Sequence, residues 1–267
     1  MQIIELRNVS AGYHKNKVLD QVSATFEKGK LTVIVGPNGS GKSTLLKTVI
    51  GVVEATEGEM ITDGCSLWTL SSREIAKKIA FLSQGRTTPD MTVEQMVLHG
   101  RFPHLGYPRR YTKKDREIAK KAMEELKIAE LAESPIHTLS GGMRQTAYIA
   151  MALAQDTEYI LMDEPTTYLD ISHQLELMRM LRTLADCGKG IVVVMHDLPL
   201  AFTFADEIVV LNNGKIMAHG DPEAVCGSGV VENVFGIELQ MLDRDRGYGL
   251  KLGGGLVNEY TRDINTV

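Results

Sequence analysis

The residues with the plainest chemical potential form one run, Gly36-Pro37-Asn38-Gly39-Ser40-Gly41-Lys42-Ser43-Thr44. Its spacing fits G-x-x-x-x-G-K-[ST], a loop that binds phosphate. The glycines let the backbone turn sharply and come close to an anion. The loop N–H groups then converge at the positive end of the helix that follows. In such a loop Lys42 reaches the β- and γ-phosphates and the Ser43 hydroxyl holds Mg²⁺. The flanks agree. Residues 31–35, all apolar or β-branched, read as a buried parallel strand, and Leu45, Leu46, Val49 and Ile50 recur at helical spacing, predicting a helix over 42–50.

Four further polar groups follow apolar runs, where an open α/β sheet presents its ligand-binding edge. Residues 79–83 deliver Gln84, placed to contact Mg²⁺ or a water. Residues 159–162 deliver Asp163, suited to the Mg²⁺ shell, and Glu164, suited to polarise a water for in-line attack on a γ-phosphate. Residues 191–195 deliver His196, within reach of a γ-phosphate. A lone strand-end histidine is more often structural, but here it keeps company with three similar groups. Ser140, Gly141 and Gly142 open another apolar helical run, with Ser140 as a natural N-cap and two glycines exposing N–H groups at the helix's positive end. Read alone this is an ordinary capped helix. Beside a phosphate loop it is a second anion cradle, and two cradles in one chain suggest two copies, each closing over the other's phosphate. Tyr13, at a strand end, offers an aromatic face to a nucleotide base or simply packs.

The elements that must carry these groups alternate between strand and helix. Strands are expected over 3–13 and 18–26, joined by Lys15-Asn16-Lys17, and over 58–64 with a turn. Ser71 and Glu74 start a helix as cap and first-turn acid. Strand signals then stop: helices are expected over 93–99 and 113–126, with an exposed Pro-, Gly-, aromatic- and Arg-rich loop over 100–110. A turn over 166–170 leads into a helix from near Ile171 to before Gly188. A hairpin follows over 206–218, turning at Asn212-Asn213-Gly214. Asp221 opens a short helix, and the tail from Gly247 is a strand edge or a loose end, punctuated by Gly253-Gly254-Gly255.

The whole reads as a single α/β domain with a mainly parallel sheet. Residues 1–84 and 158–240 form its nucleotide-binding core, with an N-terminal antiparallel β part. Residues 85–157 form a helical insertion subdomain and 241–267 a C-terminal tail. The 267 residues suit that plan, and 43 % hydrophobic with 24 % charged is an ordinary globular composition. A net charge of −5 argues against a protein that coats nucleic acid. Cys65, Cys187 and Cys226 match neither a disulfide framework nor a metal spacing, which favours a reducing cytoplasm. The first residues lack a signal-peptide pattern, and no apolar run approaches a bilayer span.

In order and kind, the phosphate loop, Gln84, Leu139-Ser140-Gly141-Gly142, the strand ending Asp163-Glu164, Asp170 and His196 resemble the motifs of ABC-type ATPase subunits. The resemblance runs at least from Ile3 to Asp221. It implies a P-loop NTPase core, ATP and Mg²⁺ as ligands, and hydrolysis by an ATP-sandwich dimer of two copies. It implies that Tyr13 stacks on adenine and residues 36–44 hold the triphosphate. Ser43, Gln84 and Asp163 meet Mg²⁺, Glu164 is the catalytic base, and His196 and Lys42 contact the γ-phosphate. Ser140 to Gly142 close over the partner's ATP, and Asp170 signals between sites. Met143 stands where the family's signature usually has glutamine, which leaves the serine and backbone contacts but removes an amide.

Residues 98–104 and 169–174 resemble most the ATPases of bacterial importers for iron-siderophore complexes, haem and vitamin B12. That implies integral membrane permease subunits as partners, an indirect link to a solute-binding protein, and a peripheral position on the cytoplasmic face of the inner membrane. Phe102, Tyr107 and Arg101 are the expected parts of the permease contact. A soluble ATPase switch of the same fold, as in iron–sulfur assembly, is the competing reading.

Overall fold

Five short runs that are apolar on both sides, β3 (Leu31–Val35), β6 (Ile79–Leu82), β7 (Tyr159–Asp163), β8 (Gly190–Val194) and β9 (Glu207–Asn212), build the central sheet. The computed structural model describes residues 3–14, 16–62, 64–85, 88–167, 169–243 and 247–251. In chain order the other elements are β1 (Ile3–Tyr13), β2 (Asn16–Glu27), α1 (Lys42–Val49), β4 (Ala55–Thr62), β5 (Cys65–Ser66), α2 (Ser72–Lys78), α3 (Val93–His99), α4 (Lys113–Glu125) and α5 (Gly141–Ala154). Then follow α6 (Ile171–Asp186), α7 (Leu198–Phe204), β10 (Lys215–Gly220), α8 (Pro222–Gly227), α9 (Val230–Phe235), β11 (Glu238–Asp243) and β12 (Gly247–Lys251).

The central sheet has the order β10-β9-β3-β8-β7-β6, parallel except for β10. A parallel sheet is covered on both faces, so alternate residues of a strand enter different cores. Leu31, Val33 and Val35 of β3, Ile160 and Met162 of β7, and Ile191 and Val193 of β8 face the core made by α3 to α9. Ile34, Tyr159, Leu161, Val192 and Val194 face the other core, shared with α1 and the antiparallel sheet β2-β1-β4-β5. The α/β core, the antiparallel N-terminal sheet and the helices inserted between β6 and β7 all appear as expected. No helix among the described residues is long and apolar enough to cross a membrane.

Several expectations need correction. The strand expected at 58–64 begins at Ala55, with Gly58 inside it at φ 88°. There β1 shifts register between Arg7 and Ser10, and a Cβ on Gly58 would lie 2.4 Å from the Asn8 carbonyl oxygen. Glycine is needed by this close approach, and it marks a bulge rather than a strand end. Helix α7 was unforeseen, although Asp197 caps it through the Leu200 N–H and Pro199 sits in its first turn. Residues 238–243 and 247–251 pair as the β11–β12 hairpin, docked by an edge-on contact of Tyr248 with Phe202. The expected boundary at 241 therefore falls inside β11, and residues 247–251 are a strand. Lys15, Tyr168 and Gly253-Gly254-Gly255 lie outside the described residues.

The end of the sheet opposite the phosphate loop is tied by ion pairs. Lys30 bridges Glu27 at 2.7 Å and Glu207 at 2.8 Å, and His219 donates to Glu207 at 3.4 Å. The His219 hydrogen bond, with help from Lys30 and against the effect of burial, holds Glu207 down to about 2 from 4.5. A carboxylate depressed in the folded state stabilises fully above its unfolded value and loses that contribution as pH falls toward its folded one. Glu207→Gln should therefore lower the melting temperature by roughly 5 °C at neutral pH. The gap to the parent should close between pH 4.5 and about 2 in a thermal-melt series.

Candidate active site

Strand β3 ends at Val35, and the loop turns into α1 through two left-handed glycines, Gly39 at φ 76° and Gly41 at φ 105°. A side chain at Gly36 has no room, since a Cβ there would lie 2.1 Å from the Leu211 carbonyl oxygen. Gly41 is the N-cap of α1, and no side chain caps that helix. The first-turn N–H groups of Lys42, Ser43 and Thr44 therefore have no intrahelical acceptor. The Ser40 hydroxyl is buried without a hydrogen-bond partner. Uncapped amides and an orphaned hydroxyl around one concavity fit an anion with several oxygens.

Lys42 is buried and arches back over this loop, its Nζ donating to the carbonyls of Gly36 at 2.7 Å and Pro37 at 2.9 Å. Burial pushes its ammonium below the usual lysine range, while Glu164 and Asp163 act the other way. The Ser43 hydroxyl donates to Asp163 Oδ1 at 2.9 Å, joining the loop to the tip of β7. Asp163 is buried, and that burial raises its carboxyl. The Ser43 hydrogen bond opposes the rise, and the neighbouring Glu164 charge adds to it.

One residue on, Glu164 has φ 50°, a left-handed backbone that costs a non-glycine residue about 1 kcal/mol. Its N–H still bonds the Val194 carbonyl at 3.2 Å. The twist lifts its side chain off the sheet, where three donors meet the carboxylate: Gln84 Nε2 at 2.5 Å, His196 Nε2 at 2.5 Å and Thr167 Oγ1 at 3.3 Å. The tips of β6, β7 and β8 thus converge on one carboxylate, and Ser43, Asp163 and Lys42 continue the cluster into the phosphate loop. A cleft of about 290 Å³ opens there, lined by Gln84, Asp163, Glu164, Thr167 and Gly141 among others.

The other expected residues lie farther out. Tyr13 is half exposed at the β1–β2 turn, on the hairpin whose Val18 and Leu19 touch Gly41. Ser140 caps α5 by accepting from the Met143 N–H at 3.3 Å, and Gly142 lies against the ring of His173. Met143 points outward. Gln84 meets Glu164 rather than Ser43 or Asp163 in the contacts observed. Sequence reasoning missed Thr167. Its only signal was a threonine three residues after the strand-end acid, the reach of a tight turn.

A parallel sheet whose first loop is an uncapped phosphate cradle, with Gln84, the Asp163–Glu164 pair and His196 at the tips of three other strands, defines a P-loop NTPase domain. The chain belongs to the ABC transporter family, whose model matches residues 19–167. It is 40% identical over 237 residues to the ferric enterobactin transport ATP-binding protein FepC of Escherichia coli K12, covering 88% of each chain. It is 39% identical over 248 residues to the iron(3+)-hydroxamate import ATP-binding protein FhuC of Bacillus subtilis, covering 92% of both. Among solved structures, the ADP conformation of MJ1267, an ATP-binding cassette of an ABC transporter, superposes with a TM-score of 0.80 at 27% identity. That match covers 88% of this chain and 98% of the other.

Proposed function

We propose that this chain is the ATP-hydrolysing subunit of an ABC importer and energises uptake of an iron-siderophore complex through separate membrane subunits. The observation that carries the enzymatic part is Glu164, held by Gln84, His196 and Thr167 beside the Ser43–Asp163 pair. Support for the cargo class comes from the relatives, several of which are named for siderophore import.

In this reading the N–H groups of residues 36–44 and the Lys42 ammonium bind the triphosphate, and Tyr13 stacks on adenine. The residues fit Mg²⁺, since the Ser43 hydroxyl, the Asp163 carboxylate and the Gln84 amide oxygen are hard oxygen donors. When bound, the ion would neutralise charge on the phosphates. Glu164 is an oxygen base aimed into the cleft. It takes a proton from the attacking water while Gln84 holds the carboxylate, and His196 exchanges its contact with Glu164 for one with the γ-phosphate. Ser140, Gly141 and Gly142 of a second copy complete the enclosure. Residues 1–84 and 158–240 act as the nucleotide core and 85–157 as the signature-bearing arm. The protein works peripherally at the cytoplasmic face of the membrane.

Co-expression with its membrane subunits and reconstitution in vesicles tests this. ATP hydrolysis should rise when a ferric siderophore is presented by its binding protein on the opposite side. A chain that purifies without any polytopic partner, and hydrolyses ATP at a rate indifferent to chelate, would instead support the soluble switch.

A further inference from the structure

The sequence suggested Arg101 as a surface contact, yet its side chain is buried. Its Nε donates to Asp115 Oδ1 at 3.0 Å, and one terminal nitrogen donates to the Ala154 carbonyl at 3.0 Å. That carbonyl belongs to the last turn of α5, where helix carbonyls lack intrahelical donors. His104 adds a second cap, donating from Nε2 to the Gln155 carbonyl at 2.8 Å. Backbone packing closes the joint, since a Cβ on Gly100 would lie 2.1 Å from the Met151 carbonyl oxygen. Asp115 is itself held by the Thr112 N–H at 2.9 Å and hydroxyl at 2.7 Å, at the start of α4. Burial would raise its carboxyl, but Thr112 and Arg101 outweigh this and leave it below the usual range.

The same joint reaches into the nucleotide core. Gln155 Nε2 donates to the carbonyls of Ala76 at 2.6 Å and Ile79 at 3.2 Å. Arg73 of α2 donates to the Pro103 carbonyl at 2.8 Å and also to that of Leu105. From this joint two things extend. One is an exposed tip, with Tyr107 fully exposed and Phe102 half exposed under the Arg109 guanidinium, 4.6 Å from the ring centre. The other is α5, a rod of roughly 20 Å whose far end presents Gly141 to the cleft.

We propose that Arg101 is a positioning residue. With His104 and Asp115 it joins the exposed 102–110 tip rigidly to the C-terminal end of α5. A load on the tip is then delivered to the 140–142 turn, and through it to the cleft. This rests on the reading that the membrane subunits dock at the tip. Arg is needed because one planar fork serves a carboxylate and a carbonyl at once, which an ammonium on a flexible stem does not.

The experiment uses Arg101→Lys and His104→Ala in the full chain, free and in the reconstituted complex. It measures melting temperature, basal ATP hydrolysis, and solute transported per ATP hydrolysed. Expected are near-parental basal hydrolysis and a roughly tenfold fall in transport per ATP, the scale of coupling changes made away from either ligand. A variant that loses stability, basal activity and transport in proportion, with the ratio unchanged, overturns the proposal. Where Arg101→Lys does not fold, His104→Ala decides by the same ratio, its side chain being only partly buried. Tyr107→Ala with Phe102→Ala tests the docking reading separately. If the complex assembles unchanged and couples fully, the tip is not the docking site. If assembly is lost while the Arg101 and His104 variants couple at the parental ratio, docking stands and the rigid joint falls.

Discussion

A Glu164→Gln variant should bind ATP at least as tightly as the parent and turn it over at least roughly a hundredfold more slowly, the usual worth of a positioned general base. The substitution is nearly isosteric, so the three contacts on this side chain can be rebuilt. The amide oxygen still accepts from Gln84 and Thr167. The new NH₂ group then faces His196, whose Nε2 can become the acceptor once the ring proton moves to Nδ1. What is lost is the negative oxygen that, in the proposed mechanism, takes the proton of water. What improves is the electrostatics of the bound state. Asp163 is raised partly by the Glu164 charge, and a triphosphate suffers the same repulsion. The variant should accumulate as an ATP-loaded dimer on a sizing column. Turnover at the parental rate would remove Glu164 from the role of base.

Lys42→Ala should weaken ATP binding by at least roughly tenfold to a hundredfold, the loss of one charge-assisted hydrogen bond to phosphate, and should abolish measurable turnover. Its ammonium lies over the loop, bonded to the Gly36 and Pro37 carbonyls, so its charge is within the cradle before ATP arrives. Burial makes that charge costly in the free protein, and an anionic ligand relieves the cost. Lys42→Arg is the informative companion. It keeps the charge but puts a wide planar fork where a compact ammonium fits, and should rescue little. Titration with a fluorescent ATP analogue separates Lys42→Ala, which binds weakly, from Glu164→Gln, which binds and fails to react.

Much of the molecule was readable before folding, for reasons specific to each part. The limits of β3 and α3 coincide with the expected ones, because each is bounded by an abrupt change in chemistry. The phosphate loop was legible because its glycines are demanded by local backbone geometry: φ 76° at Gly39, φ 105° at Gly41, and no space for a Cβ at Gly36. Cap residues were legible for a similar reason, and both Ser71 and Ser140 do what short-range spacing says. Gly58 misled because a bulge glycine and a turn glycine look alike in sequence. They differ only in which strand lies opposite. Helix α7 was hidden because Leu198-Pro199-Leu200 and the following residues have an almost continuously apolar pattern, without the polar face that marks an amphipathic helix.

From its order of residues alone, the chain already specifies a phosphate-binding loop, the strands that end in Gln84, Asp163, Glu164 and His196, and the family to which these motifs belong. Such features depend on neighbours a few positions apart, so they survive in one dimension. Folding settled the rest: that Glu164 is the carboxylate on which Gln84 and His196 converge, and that Thr167 joins them. It also buried Arg101 beneath α4 and α5 instead of leaving it on the surface. Those outcomes depend on which strand lies beside which and on which buried charge finds a partner. Contacts across eighty residues, as between Gln84 and Glu164, leave no periodic trace in the sequence to read.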